Sequence, residues 1–172
     1  MPNVEHFEPI QASLQVIWTV LLDRIENPER YMAGIASCTF LENTDTYAVR
    51  QVVMTNPGNA SENADETDTA AVTLKEKITI DEAQGSVCYT LIDHALYNGQ
   101  VYNKLIPPAE DDEKASPVVL FEMQWTPKTP EVVEIEDQVA PELRQSMVLA
   151  VQYVKSMAEQ LEQESQKTGN PV

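Results

Sequence analysis

The sequence predicts an α+β domain in which a curved antiparallel sheet of six to seven strands wraps around a long C-terminal helix, with two short helices after the first strand. Three observations carry this prediction. Apolar residues recur at helical spacing near both ends of the chain, strand-like alternation fills the middle, and turn-forming residues divide that middle into strand-length pieces. With 172 residues, 42% of them hydrophobic, the chain can bury one such core. We therefore expect a single domain over residues 1–172.

The N-terminal helix is predicted over Ser13 to Glu26. Its apolar residues lie three and four positions apart, which places them on one helix face. They are Leu14, Ile17, Trp18, Leu21, Leu22 and Ile25. The pair Asn27-Pro28 should end this helix, because the residue before a proline is disfavoured in the helical region. Pro28 suits the first turn of a new helix, so a second, short helix is predicted up to Met32.

The longest helix is predicted to begin near Pro141. Its apolar residues again recur at helical spacing, so one face must pack against a large apolar surface. They are Leu143, Met147, Ala150, Val151, Val154, Ala158 and Leu161. Residues 165–172 are predicted to form a flexible tail.

Between the helices the apolar period changes to two, which is typical of strands. The predicted strands are Ile35 to Glu42, Thr46 to Thr55, Val72 to Asp81, Ser86 to Asp93, Gln100 to Ile106 and Val118 to Thr126, with a further short strand near Val4 to Phe7. Turn residues between them, including Tyr97-Asn98-Gly99, favour an antiparallel meander. The exception is Asn56 to Ala70, an acidic segment that we expect to form a long mobile hairpin loop.

The charge of the chain excludes several classes of partner. With 28 acidic against 11 basic residues, the formal net charge of -17 disfavours nucleic acid and anionic membranes. Neither a membrane span of about 20 apolar residues nor a signal peptide is recognisable, so a cytoplasmic location is expected. The sequence also lacks a nucleotide-binding glycine loop, a nucleophile elbow and paired zinc-ligand spacing, so we expect neither a cofactor nor a metal.

Two charged residues occur on the inward faces of predicted strands. Strict alternation places Glu76 on the same face as Ile78, and Arg50 on the same face as Val52 of the neighbouring strand. A buried carboxylate needs a partner, since an unpaired buried charge is costly. The sequence therefore predicts a cross-strand pair of Arg50 and Glu76, which is either an internal salt bridge alone or also a contact for a bound ligand.

Other polar and aromatic residues share these inward faces. Asn103 and Tyr89 each lie in an apolar row, where they either bond to the protein or contact a ligand. Phe121, Met123 and Trp125 alternate on the last strand and form either core or cavity wall. His94 follows Asp93, but neighbours on an extended chain point to opposite faces, which argues against a catalytic dyad.

Several of these residues together resemble a known family. Ile17-Trp18, the segment Asn27 to Ile35, Arg50 and Glu76 look like the pattern of the AtaL-like family of unknown function, which lies within the Bet v 1/START-like (SRPBCC) superfamily. The resemblance implies the helix-grip fold and a cavity between the sheet and the C-terminal helix. The same superfamily includes polyketide cyclases and aromatases.

The function expected from this reasoning is the binding of a small, mainly hydrophobic or aromatic molecule by a monomer or homodimer. The predicted cavity residues are Arg50, Glu76, Tyr89, Asn103, Phe121, Met123, Trp125, Met147, Val151 and Val154. Two alternatives stay open: a polyketide cyclase or aromatase-like enzyme that uses Glu76 as acid or base, and an acidic interaction protein with a filled core.

Overall fold

A computed structural model describes residues 3–32, 34–55, 71–109, 115–131 and 136–168. The elements in chain order are β1 (Asn3–Pro9), α1 (Leu14–Glu26), a 3-10 helix (Pro28–Arg30), β2 (Ile35–Asn43), β3 (Tyr47–Met54), β4 (Val72–Asp81), β5 (Ser86–Ile92), β6 (Tyr97–Ile106), β7 (Val118–Pro127) and α2 (Glu136–Thr168). The strands form one antiparallel sheet in the order β1-β7-β6-β5-β4-β3-β2. The predicted meander is confirmed, and β1 extends it by pairing with β7.

The turn between β5 and β6 lies earlier than the sequence predicts. Tyr97 to Gly99 belong to β6 and pair with β7, and the chain reverses at residues 93–96 instead. Asp93 adopts a positive φ of 52°, a conformation that aspartate tolerates better than most residues. The ring of His94 then accepts hydrogen bonds from the backbone N–H groups of Leu96 and Tyr97 through Nδ1, at 3.3 and 3.2 Å.

The C-terminal helix is longer than predicted at both ends. It begins at Glu136, so Pro141 lies inside the helix and removes one backbone hydrogen bond there. It continues through Thr168, so residues 165–168 are helical rather than part of a tail. The predicted acidic loop at residues 56–70 and residues 169–172 lie outside the described part of the chain. No helix in the described ranges is long and apolar enough to cross a membrane.

The main core lies between the concave face of the sheet and both helices. Helix α1 begins at Ser13, whose hydroxyl accepts from the Val16 N–H, and it places its apolar face against α2 and the sheet. The fully or nearly fully buried members of this core are Val4, Ile10, Val16, Ile17, Val20, Leu21, Tyr31, Val119, Phe121, Trp125, Met147, Ala150, Val151, Val154 and Ala158. Burial of this surface is the main force that holds α1 and α2 on the sheet.

Replacing a buried residue of α1 should therefore weaken the whole domain. Ile17 is fully buried, and Ile17→Ala is expected to lower the free energy of unfolding by about 2–5 kcal/mol because it leaves a cavity. Leu14→Ala on the same helix is the control, since Leu14 is 41% exposed. Urea unfolding of both variants measures the difference, and equal losses would contradict the packing described here.

Candidate functional site

The cross-strand pair predicted from the sequence is present in the sheet. Arg50 on β3 lies directly opposite Glu76 on β4. The Arg50 Nε donates to Glu76 Oε2 at 3.0 Å, and the side chains are 3% and 15% exposed. A salt bridge this well shielded from solvent requires both partners, because removing one leaves a buried charge without its counterion.

Arg50 also holds the end of α1. Its Nη1 donates to the backbone carbonyl of Ile25 at 2.6 Å and to that of Arg24 at 3.3 Å. Carbonyl groups in the last turn of a helix have no partner within the helix and carry its partial negative charge. The Arg50 guanidinium satisfies two of them and thereby fixes α1 to the sheet. Its Nε and Nη1 are thus committed to the protein.

The segment after α1 is anchored by one carboxylate that the sequence analysis did not single out. Asp23 accepts hydrogen bonds from the amide of Asn27 at 2.7 Å, from Arg30 Nη1 at 2.7 Å and from the Tyr31 hydroxyl at 2.6 Å. Burial, together with the Asp23 carboxylate, raises the pKa of Tyr31 far above its usual range. The sequence from Asn27 to Tyr31 therefore closes α1 and fixes the direction of its last turn.

Arg24 lies on the buried side of that last turn. It is 6% exposed, and its guanidinium lies 5.3 Å from the ring centre of Tyr89 and 4.8 Å from that of Phe121. Its Nη2 faces the sulfur of Met32 at 3.7 Å. Its Nε has no hydrogen-bond partner among the described residues, and no described carboxylate lies within 4 Å to form a salt bridge.

Asn103 and Tyr89 complete the polar cluster. Asn103 is fully buried, and in the amide orientation that satisfies both ends its oxygen accepts from Arg24 Nη1 while its nitrogen donates to the Tyr102 carbonyl. Tyr89 is 4% exposed, and its hydroxyl has no hydrogen-bond partner among the described residues. Burial raises the pKa of Tyr89, whereas the Arg24 and Arg50 guanidinium groups oppose that rise.

The remaining predicted site residues are apolar side chains of the main core, and one of them, Phe121, contacts the Arg24 guanidinium. All of them belong to the main core, with Met123 partly buried and the others buried: Phe121, Met123, Trp125, Met147, Val151 and Val154. The structure thus brings all ten predicted residues to the interior side of the sheet. Their contact with a ligand stays a prediction.

Two clefts can be measured within the described part of the chain, and residues of α2 line neither of them. One, of about 410 Å³, lies at the β5–β6 turn beside the start of β4 and includes His94. The other, of about 250 Å³, follows the middle strands around Gly99 and includes Trp125. Neither of these two clefts is therefore the predicted space between the sheet and α2.

His94, which the sequence argues against as a catalytic residue, and the two cysteines have ordinary surroundings. His94 Nδ1 accepts two backbone hydrogen bonds within the turn. Burial, together with the positive charge of Lys128, lowers the pKa of the His94 ring. Cys38 and Cys88 are half-buried free thiols, and burial raises the pKa of Cys38. Among the residues that the structure describes, no three His, Cys, Asp or Glu side chains gather as a metal site would require.

Removing Arg50 should be strongly destabilising. Arg50→Met leaves Glu76 and two helix carbonyls without a partner, so we expect a loss of about 3–5 kcal/mol in the free energy of unfolding. The double variant Arg50→Met/Glu76→Leu should recover part of that loss, because the unpaired carboxylate is then gone. Arg144→Met, at an exposed position of α2, is the control. A melting temperature of Arg50→Met equal to that of the control would contradict this role.

Tyr31 should make the fold sensitive to alkaline pH. In the unfolded chain Tyr31 ionises near pH 10, whereas the folded protein holds it protonated, so its contribution to stability is present below about pH 10 and is lost as the pH rises further. Tyr31→Phe should reduce the steepness of that loss while costing about 1.5–3 kcal/mol at neutral pH through the missing bond to Asp23. Tyr153→Phe, at an exposed tyrosine, should match the wild type in both respects. Unfolding measured from pH 8 to 11 tests this.

Comparisons with known proteins agree with the fold. The chain resembles the protein TTHA0849 from Thermus thermophilus (TM-score 0.69, 11% identity, covering 91% of this chain and 97% of that one). It resembles the Zhui aromatase/cyclase from Streptomyces sp. R1128 (TM-score 0.69, 14% identity, covering 92% of this chain and 93% of that one). It also resembles the di-domain ARO/CYC StfQ from the steffimycin biosynthetic pathway (TM-score 0.71, 14% identity, covering 92% of this chain and 50% of that one).

Sequence comparison is more specific than these structural likenesses. No curated protein matches the chain. Residues 8–166, however, match the family described as AtaL, acetylaranotin biosynthesis cluster protein L. This match spans the first helix, strands β2 to β7 and nearly all of α2, including Arg24, Arg50 and Glu76. The chain, a helix-grip domain with a buried polar cluster at the end of its first helix, therefore belongs to the AtaL family.

Proposed function

We propose that the protein binds a mainly apolar, oxygen-bearing molecule at the concave face of the sheet and promotes its cyclisation and aromatisation. The observation that carries this proposal is the cluster of Arg24, Arg50, Glu76, Tyr89 and Asn103 beside the apolar core. Buried polar groups whose hydrogen-bonding capacity the protein leaves unused are available to a bound molecule. The names of the structural neighbours, two of which are aromatase/cyclases, support the same choice of reaction.

The cluster supplies the groups that an intramolecular aldol cyclisation needs. Glu76 takes a proton from a methylene carbon that lies between two carbonyl groups of the substrate. The enolate carbon then attacks a second carbonyl carbon, and the new alkoxide receives that proton. Arg24 and Tyr89 can donate hydrogen bonds to the oxygen on which negative charge develops, which stabilises the transition state. Loss of water from the ring, followed by enolisation of the remaining ring ketones, completes the aromatic product with no change in oxidation state.

The arrangement of Glu76 also supports a second candidate function, ligand binding without turnover. Its Oε2 is held by Arg50, which itself secures α1, so the pair has a structural task. If that is its whole task, the interior holds a molecule and releases it unchanged. The two functions differ in one respect, which is whether the bound molecule leaves with the same mass.

Turnover can be tested with a short poly-β-ketone thioester mimic. Purified protein should convert it to a product that has lost water, followed by liquid chromatography and mass spectrometry. Glu76→Gln should lower the rate by about 100-fold, since a general base contributes roughly this much or more. Tyr153→Phe, at an exposed position, should retain the full rate.

The wild-type result separates the two candidate functions. A mimic that raises the melting temperature but is recovered unchanged would favour binding alone. A Glu76→Gln variant that is folded and fully active would contradict the catalytic role of Glu76, whatever the substrate. Circular dichroism of each variant confirms that it is folded before rates are compared.

A further inference from the structure

We infer that the molecule bound in the interior carries an acidic group, either a carboxylate or the ionised enol of a 1,3-dicarbonyl, and that this group accepts hydrogen bonds from Arg24 and Tyr89. The inference rests on the proposed function, because it names the chemical class of the molecule that the same site takes. It is carried by the charge balance and the unused hydrogen-bond donors of the cluster.

The first argument is charge. The buried cluster contains two guanidinium groups, Arg24 and Arg50, and Glu76 is the one carboxylate that the described residues place in a salt bridge with either. Glu76 neutralises Arg50, whereas Arg24 has no carboxylate within 4 Å among those residues. A buried cation without a counterion is costly. A ligand with one negative charge would balance the cluster.

The second argument is the set of contacts that Arg24 makes. They are the amide oxygen of Asn103, the sulfur of Met32 and the faces of two aromatic rings, which include Tyr89. Each of these is a weaker partner for a guanidinium than a carboxylate. Its Nε has no acceptor at all among the described residues. A guanidinium with a free Nε can bind two oxygens of an acid side by side.

The third argument is the position of the second free donor. The Tyr89 hydroxyl is buried and unpartnered among the described residues, and its ring lies beside the Arg24 guanidinium. The two donors therefore belong to neighbouring side chains that are each more than nine-tenths buried, and both lack an acceptor within the described ranges. An acceptor with negative charge satisfies both, whereas a neutral carbonyl leaves the charge of Arg24 unbalanced.

Arg50 shows that the protein supplies acceptors for a buried arginine that has a structural role. Its Nε and Nη1 reach a carboxylate and two carbonyls. Arg24, whose own backbone carbonyl is one of those two, receives no comparable set for its side chain. This contrast assigns Arg50 to the framework and Arg24 to the ligand.

The experiment compares an acid with its neutral ester. The probes are 2-naphthoate and methyl 2-naphthoate, with binding to the full chain measured by calorimetry. The wild type should bind the acid at least about tenfold more tightly than the ester, which corresponds to one charge-assisted hydrogen bond. Arg24→Met should lose that preference, because its affinity for the acid falls toward its affinity for the ester. Arg144→Met, exposed on α2, should keep the preference.

Two further measurements keep the outcome interpretable. Arg24→Met without ligand should lose much less stability than Arg50→Met, because the removal of an unbalanced buried charge offsets the loss of the donor to the Asn103 amide oxygen. Arg24→Lys should retain part of the preference for the acid, since it retains the charge. These outcomes distinguish a ligand-binding arginine from one that the fold requires.

The results that would overturn the inference differ from those that would overturn the proposed function. Equal affinity of the wild type for acid and ester, or an unchanged acid preference in Arg24→Met, would refute the anionic ligand and leave interior binding intact. If neither probe nor the thioester mimic bound, interior binding itself would be refuted. Because the acid and ester are first compared on the wild type, the test does not depend on the folding of any variant.

Discussion

The contacts of Arg50 are the interaction on which the rest of the structure depends. One guanidinium joins β3 to β4 through Glu76 and joins the sheet to α1 through two backbone carbonyls. Without it, α1 would end over an apolar surface with unsatisfied carbonyls, and Glu76 would be buried without a partner. The direction of the last turn of α1, and with it the position of Arg24, follows from this attachment and from the contacts of Asp23 just beyond it.

The two arginines of this cluster thus have different physical roles. Arg50 is stabilised by the protein, so its energetic contribution is to folding. Arg24 is stabilised incompletely by the described residues, so under the proposed function a bound acceptor would recover part of the free energy that its burial costs. Natural proteins retain such unsatisfied groups mainly where function requires them. This is why the charge balance of the interior carries more information about function than the number of polar residues in it.

The sequence was sufficient for the fold and for part of the site. Period-two alternation fixed the side of the sheet on which Arg50 and Glu76 lie, and adjacent strands brought them together. Arg24 was missed because a charged residue in a helix is usually exposed. Its spacing was nevertheless informative, since it follows Val20 by four positions and Ile17 by seven, on the buried face. The turn at residues 93–96 was misplaced because Tyr97 to Gly99 carry stronger turn signals, yet pairing with β7 outweighs them.

A positively charged interior within a strongly acidic chain also limits what can enter. The net charge of -17 repels anions at long range, and the repulsion grows with the charge of the approaching molecule. The repulsion is therefore strong for a polyphosphate or a nucleic acid, which carries many negative charges, and weak for a molecule with one acidic group. The apolar core around the cluster would favour a ligand whose remaining surface is hydrophobic, since burying that surface offsets the cost of approach. Under the proposed function, surface charge and interior charge would together favour an apolar acid of single charge, and a β-keto chain with one ionised enol is a molecule of this kind.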